Sequence, residues 1–364
     1  VVVLLLLGVA LSACGSTPVT QNWPGLTVTE DTVYVISGSP QQVYMLDPES
    51  GVKRGTFMPQ GEREGVSYWS PVTVGEGLAF VGFGDPQAQL YGLYAFDTET
   101  GQERWNISVQ DLILPAPVHV EGTVYFGVSD GHVYAVEAET GDIKPGWPFQ
   151  AKEAIWASPL VVGGRVYVSS MDHQLYCLDI ETGEEMWVFE ADGALAAQPV
   201  LDAERGILYV GAFDGRVYAI NPDSGNIVEG FGFQAGNWIW SEILLADEQL
   251  YVTALDGKLY ALDPATGDVK QGYPFDAESP LRAAPVQVGE LLVVAAESGR
   301  VTAVTSSTGL VRWQWPSGLP ETSVLTNPVV AGENVFIALT SGQVFALEAE
   351  TGVQSWSFSP PEAE

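Results

Sequence analysis

The sequence predicts an all-β protein, an eight-bladed β-propeller of four-stranded antiparallel blades. Three observations carry that prediction. One unit recurs eight times, its closing glycine falling at Gly51, Gly101, Gly141, Gly183, Gly225, Gly267, Gly309 and Gly352, at intervals of 50, 40, 42, 42, 42, 42 and 43 residues. Each unit holds four short apolar runs rich in Val, Tyr and Leu, separated by turn residues, the pattern of strands joined by tight connections. The runs are apolar on both alternating faces, so each small sheet must be covered on both sides. Repeats of about 42 residues that bury both faces against neighbours close into a propeller.

Length and charge bound what such a ring does. Eight units fill residues 21–364 of the 364-residue chain and leave no room for a second domain. The 46% apolar content supplies a core, while 40 Gly and 23 Pro suit tight turns far better than long helices. With 14 Lys+Arg against 46 Asp+Glu the net charge is −32, which excludes nucleic acid as a partner held by general attraction, because counterion release needs cationic side chains. The acids spread through turns and outer strands. They read either as a solvated surface or as a long-range lure for a basic partner.

Residues 1–13 read VVVLLLLGVALSA, shorter than the run of about 20 that spans a bilayer. They have the length and small-residue end of a signal peptide whose basic n-region is missing. Leu11-Ser12-Ala13-Cys14 resembles the lipobox of bacterial lipoproteins. That resemblance implies lipidation of Cys14, a tether over 14–20, a propeller over 21–364, and an extracytoplasmic protein anchored to a membrane.

The fourth copy shows the elements in order. A run at 159–162 turns at Gly163-Gly164, and a second at 165–169 turns at Asp172-His173. A third at 175–178 ends in the turn Asp179-Ile180-Glu181-Thr182-Gly183, and a fourth at 186–189 closes the unit. The first residue of that long turn is Asp47, Asp97, Asp179 or Asp263 in four copies and Glu137, Asn221, Thr305 or Glu348 in the others. Its side chain is expected to cap backbone N–H groups while the glycine takes the positive φ. Asp-Gly at 130–131, 214–215 and 256–257 reads as a two-residue hairpin between the second and third runs. These acids therefore have structural roles. Cys177 stands where five sister copies carry Ala after an aromatic, so it is expected to pack as a small buried residue rather than act as a nucleophile.

The unit resembles the PQQ-type propeller repeat, as Tyr260-Ala261-Leu262-Asp263-Pro264-Ala265-Thr266-Gly267 shows. Trp105, Trp187, Trp313 and Trp356 stand four residues after the turn glycine, which the resemblance implies is a site of docking between blades. Copies three, five and six place Trp147, Phe231 and Tyr273 later in the fourth run, so docking is expected one turn on. Quinoprotein dehydrogenases of similar fold imply a calcium site, an Asp base, large insertions and often an adjacent cysteine pair. This chain has no such pair, and its longest insertion is only 82–90. His119, His132 and His173 show no metal-ligand spacing. Neither catalysis nor a PQQ cofactor is expected. A lipobox followed by eight repeats most resembles the BamB family of the outer-membrane β-barrel assembly machinery. That implies a non-enzymatic monomeric scaffold engaging envelope or β-barrel assembly proteins through loops on one face.

Counting back eleven residues from the second-run aromatic reaches Trp23, Trp69, Trp156 and Trp240 in copies one, two, four and six. Leu114 takes the place in copy three and, approximately, Ala196, Arg282 and Leu325 in copies five, seven and eight. Preceding the innermost strand, these residues should ring the mouth of the central channel, with Trp238 beside Trp240. They are expected either to plug the channel or to form an aromatic funnel that grips a peptide, small ligand or glycan. Arg282, the lone cation of the ring, would pair with a carboxylate or serve as an anchor. How the ring closes is left open, since the tether could add a strand to the last blade but nothing requires it.

Overall fold

The structure, a computed structural model, describes residues 25–38, 41–60, 66–315 and 323–361. The segment 1–13, Cys14 with the tether 14–20, and Trp23 lie outside the described residues. Every regular element among those described is a β-strand, and the strands form eight sheets in chain order. The fourth blade, Leu160–Val162, Arg165–Ser169, Gln174–Asp179 and Glu185–Glu190, is typical. In the second blade residues 82–90 lengthen the middle hairpin to Leu78–Asp85 and Leu90–Asp97. Its long second strand pairs with two inner segments, Ser67–Tyr68 and Thr73–Gly75.

Burial follows position in the blade. Leu175, Tyr176, Cys177 and Leu178 on the third strand are all buried, because a neighbouring blade covers each face of the sheet. The outer strand returns to a solvated alternation and leaves Met186 and Val188 exposed. Burial pushes the Cys177 thiol up to about 11, which keeps it protonated and suits the packing role. Eight apolar cores result, one in each of the eight blade–blade interfaces.

The turn and docking chemistry runs as the sequence predicts. Asp179 Oδ1 accepts the N–H of Glu181 at 3.0 Å and of Thr182 at 2.9 Å, and Gly183 has φ +67°. Trp105, Trp187, Trp313 and Trp356 cross to the following blade, lie against its turn glycine, and donate Nε1–H to Ala138, Pro222, Ala349 and Pro48 O at 2.9–3.0 Å. Trp147 likewise reaches Gly183 and Tyr273 reaches Gly309. Beside Phe231 it is the backbone of Gly232 that lies against Gly267 and donates its N–H to Thr266 O at 3.0 Å. All three rings also pack on a tyrosine of their own blade, Tyr125, Tyr251 and Tyr209 respectively.

Two points differ from, or add to, the sequence reading. The Asp-Gly hairpins have three-residue rather than two-residue loops. Val128 N–H donates to His132 O at 2.8 Å across Ser129-Asp130-Gly131, and Ala212 N–H to Arg216 O at 3.0 Å across Phe213-Asp214-Gly215. A turn ending in one left-handed residue favours Gly there, and His173 takes the same conformation at φ +71°. The ring closes without a borrowed strand among the described residues. The eighth blade is Val329–Ala331, Asn334–Ala338, Val344–Glu348 and Gln354–Phe358, and it meets the first blade through Trp356, Phe358 and Tyr44.

Candidate functional site

Antiparallel order alone assigns the two faces of the ring. Each inner strand runs away from the end where the chain enters it, so the hairpin between second and third strands returns to that same end. The entry connections and these hairpins therefore share one face, and the Asp-x-x-Thr-Gly turns lie on the other. Backbone hydrogen bonds join the two sets of loops. The first hairpin-loop residue donates to the connection: Met171 N–H to Ala154 O at 3.0 Å, Phe213 to Ala194 at 2.9 Å, Leu255 to Trp238 at 2.9 Å, and Glu297 to Pro280 at 3.0 Å. Next along each connection comes a fully buried aliphatic, Ile155, Leu195, Ile239 or Leu281. For Ile155 and Ile239 a glycine at the end of the preceding blade's second strand makes room: a Cβ on Gly127 would stand 2.2 Å from Ile155 Cγ2, and one on Gly211 2.3 Å from Ile239 Cγ2. The residue after that anchor is the one predicted at the mouth.

The structure brings four of the six described or undescribed site residues together: Trp156, Trp238, Trp240 and Arg282. Trp156 and Trp240 have ring centroids 6.2 Å apart, across a blade whose mouth residue is the small, buried Ala196. Phe213, the first residue of its hairpin loop, stacks on Trp238 at 4.7 Å and on Trp240 at 5.0 Å. The Arg282 guanidinium lies 4.4 Å from the Trp240 ring centroid, and its Nε donates to Glu297 Oε1 at 2.7 Å. Arg282 thus both pairs and stacks, which holds a half-buried cation in place. Trp69 does not join this cluster. It lies over its own lengthened hairpin, its Nε1 3.5 Å from Gly84 O.

Slightly farther along the connections a second small residue has the same effect. Asn327 of the eighth blade reaches past Ala284 of the seventh, accepting its N–H at 2.8 Å, and donates to Glu242 Oε1 of the sixth at 3.0 Å. Glu242 keeps part of its surface open, yet protein surrounds it closely, and this desolvation raises its pKa against the lowering effect of the Asn327 bond. Sequence reading missed Phe213, Glu297, Glu242 and Asn327. Their signal is positional: two residues stand first in a hairpin loop, and two stand two places after the mouth residue.

The polar groups here fall short of what a calcium-bound quinone needs. Calcium takes about 6–8 oxygen ligands. Asn327 Oδ1 is occupied by a backbone N–H and Glu297 by Arg282, leaving Glu242 as the remaining carboxylate of this set. Among the described residues no group of three His, Cys, Asp or Glu side chains gathers. The histidines stand apart: His132 Nδ1 lies 3.0 Å from Asp130, and His119 stacks on Phe80.

Comparison with known proteins now bears on this geometry. Sequence comparison with curated proteins finds no match. BamB from Moraxella catarrhalis superposes with a TM-score of 0.70 at 17% identity, over 88% of this chain and 92% of that one. The computationally designed Ika8 protein gives 0.74 at 17%, over 91% and 98%. The quinohemoprotein alcohol dehydrogenase from Comamonas testosteroni gives 0.67 at 15%, over 93% and 75%. At such identities these structures share the fold alone. The family model described as outer membrane protein assembly factor BamB matches residues 39–144, 144–230 and 214–363. Those matches run through all eight blades, and the chain belongs to that family.

Proposed function

We propose that the protein is a non-catalytic, membrane-anchored scaffold that holds partner proteins of outer-membrane β-barrel assembly on its channel-mouth face. The observation that carries this reading is the aromatic cluster of Trp156, Phe213, Trp238, Trp240 and Arg282. Four blades contribute to it, and backbone hydrogen bonds hold its loops in place. Rigid aromatic and arginine side chains at a concave surface are the usual anchors of protein interfaces. The family match supports an assembly role, and the lipobox-like segment ending at Cys14 supports a lipid anchor outside the cytoplasm.

A non-enzymatic role is supported by how the carboxylates are used. Those of the far-face turns cap backbone groups, and Glu297 is taken by Arg282. Among the described residues Glu242 is the group that favours a catalytic reading, and its carboxylate is already held by the Asn327 amide. The test is capture from solubilised native membranes with wild type and with Trp156→Ala/Trp240→Ala. A β-barrel assembly protein should be enriched by wild type, lost from the double variant, and retained by Trp69→Ala. Retention by all three forms, or enrichment of none, sinks the reading.

A further inference from the structure

Two indole N–H groups at the mouth, those of Trp156 and Trp238, have no acceptor among the described residues, and both side chains are only half-buried. The Arg282 Nη atoms also lack a partner there, since its ion pair runs through Nε. The mouth therefore offers donors beside aromatic faces. Around this sector stand carboxylates on the hairpins, Asp172, Asp214 and Asp256, and on the connections, Glu153 and Asp192. Asp192 is paired with Arg216, whereas the exposed Glu153 carboxylate has no ion pair among the described residues. Behind them lies a molecule of net charge −32, whose field raises the local concentration of cations over its surface.

The molecule already shows how such a surface holds a cation. Arg282 lies against the Trp240 ring while a carboxylate fixes its Nε. Trp156 and the exposed Glu153 lie three residues apart on the connection that enters the fourth blade, and among the described residues no guanidinium lies over the Trp156 ring.

Building on the scaffold reading, we propose that the mouth docks an extended, basic polypeptide segment. Its backbone carbonyls accept from the Trp156 and Trp238 indoles, and an arginine side chain lies against Trp156 within reach of Glu153. An extended peptide leaves its carbonyls free to accept such bonds. A neutral or acidic segment satisfies the indoles but forgoes the rim, and an acidic one is repelled by it.

The test uses the purified full chain and three short labelled peptides of Gly, Ser and Pro. One carries two arginines, one citrulline in their place, and one glutamate, with binding read by anisotropy. The arginine peptide should bind, citrulline should weaken binding about tenfold, and glutamate should abolish it. Raising salt from about 50 to 300 mM should weaken the arginine peptide several-fold. Trp156→Leu and Glu153→Gln should each lose most of the binding at unchanged melting temperature, while Trp69→Leu binds as wild type does. The proposal is overturned by equal binding of all three peptides, by binding of none, or by full binding to both Trp156→Leu and Glu153→Gln. Binding of a neutral oligosaccharide at Trp156 with all three peptides inert overturns it equally. None of those results touches the membrane-capture experiment, which detects a partner of any charge.

Discussion

Glu242 and Asp47 show how the same chemical group is tuned in opposite directions by its place in a blade. Asp47 heads an exposed turn, where the Ser50 hydroxyl and N–H and the nearby Arg54 guanidinium hold its carboxyl down at about 2. Glu242 sits where loops converge on the channel, and desolvation raises it despite the Asn327 bond. The sign of the stability effect follows from which state keeps its proton. Below the ordinary carboxyl range both folded and unfolded chains are protonated at Glu242, so the residue is neutral to folding. As pH rises, the unfolded chain releases its proton first, and folding becomes less favourable until the folded group also ionises. Glu242→Gln keeps an acceptor for Asn327 without the charge. That variant should melt above wild type at pH 7.5, and the gap should narrow as pH falls to about 4. A gap of constant size across that range would show that charge burial is not what Glu242 contributes. Nothing local in the sequence marks this residue, because its environment is assembled by three blades.

At the scale of the element, the entry connection is a short lever pinned at one point. The buried Ile239 fixes it, Gly211 vacates the space beneath, and Trp238 and Trp240 project on either side. Adding a methyl group at Gly211 puts a Cβ 2.3 Å from Ile239 Cγ2, so either the second strand or the connection must shift. Overpacking of this kind costs about 1–3 kcal/mol. The expected outcome for Gly211→Ala is a lower melting temperature together with altered tryptophan fluorescence, because Phe213, Trp238 and Trp240 stack through that connection. A normal melting curve and spectrum would mean that Ile239 does not set the cluster. The example also shows what could be read from sequence alone. Position in the repeat located Trp156, Trp240 and Arg282, since each precedes an inner strand by the same offset. Trp69, at the same offset, stands apart from the cluster, because the insertion at 82–90 adds inner pairing and gives that indole its own blade to lie on. Phe213 was hidden by the hairpin length. With a two-residue turn it belongs to the second strand, and only the three-residue loop lifts it to the mouth.

For the whole molecule, the propeller was legible because its determinants are local and repeated. A turn carboxylate, a turn glycine and a docking aromatic lie within one unit, and eight copies remove the ambiguity of any one. Closure was not legible, because it depends on contacts between the two ends of the repeat array. Seven interfaces join blades that are consecutive in the chain. The eighth, between the last blade and the first, has noncovalent contacts alone among the described residues: Trp356 against Gly51 and Pro48, and Phe358 against Tyr44. Consecutive blades remain tethered when their interface loosens, whereas the seam can part and leave each half of the ring folded. Truncating a docking tryptophan removes an indole hydrogen bond and opens a cavity, worth about 3–5 kcal/mol for a buried Trp. Trp356→Ala and Trp187→Ala delete the same bond and much the same packing, at the seam and within the array respectively. Hydrogen exchange should separate them. In Trp356→Ala the strands Val33–Gly38, Gln41–Leu46 and Val344–Glu348 should lose protection first, while Gln174–Asp179 and Arg216–Ile220 stay near wild type. Trp187→Ala should expose its own interface less, since the chain connection and both flanking blades restrain it. Equal loss of protection around the whole ring in both variants would mean that the eight interfaces open as one cooperative unit, and that the seam has no weakness of its own.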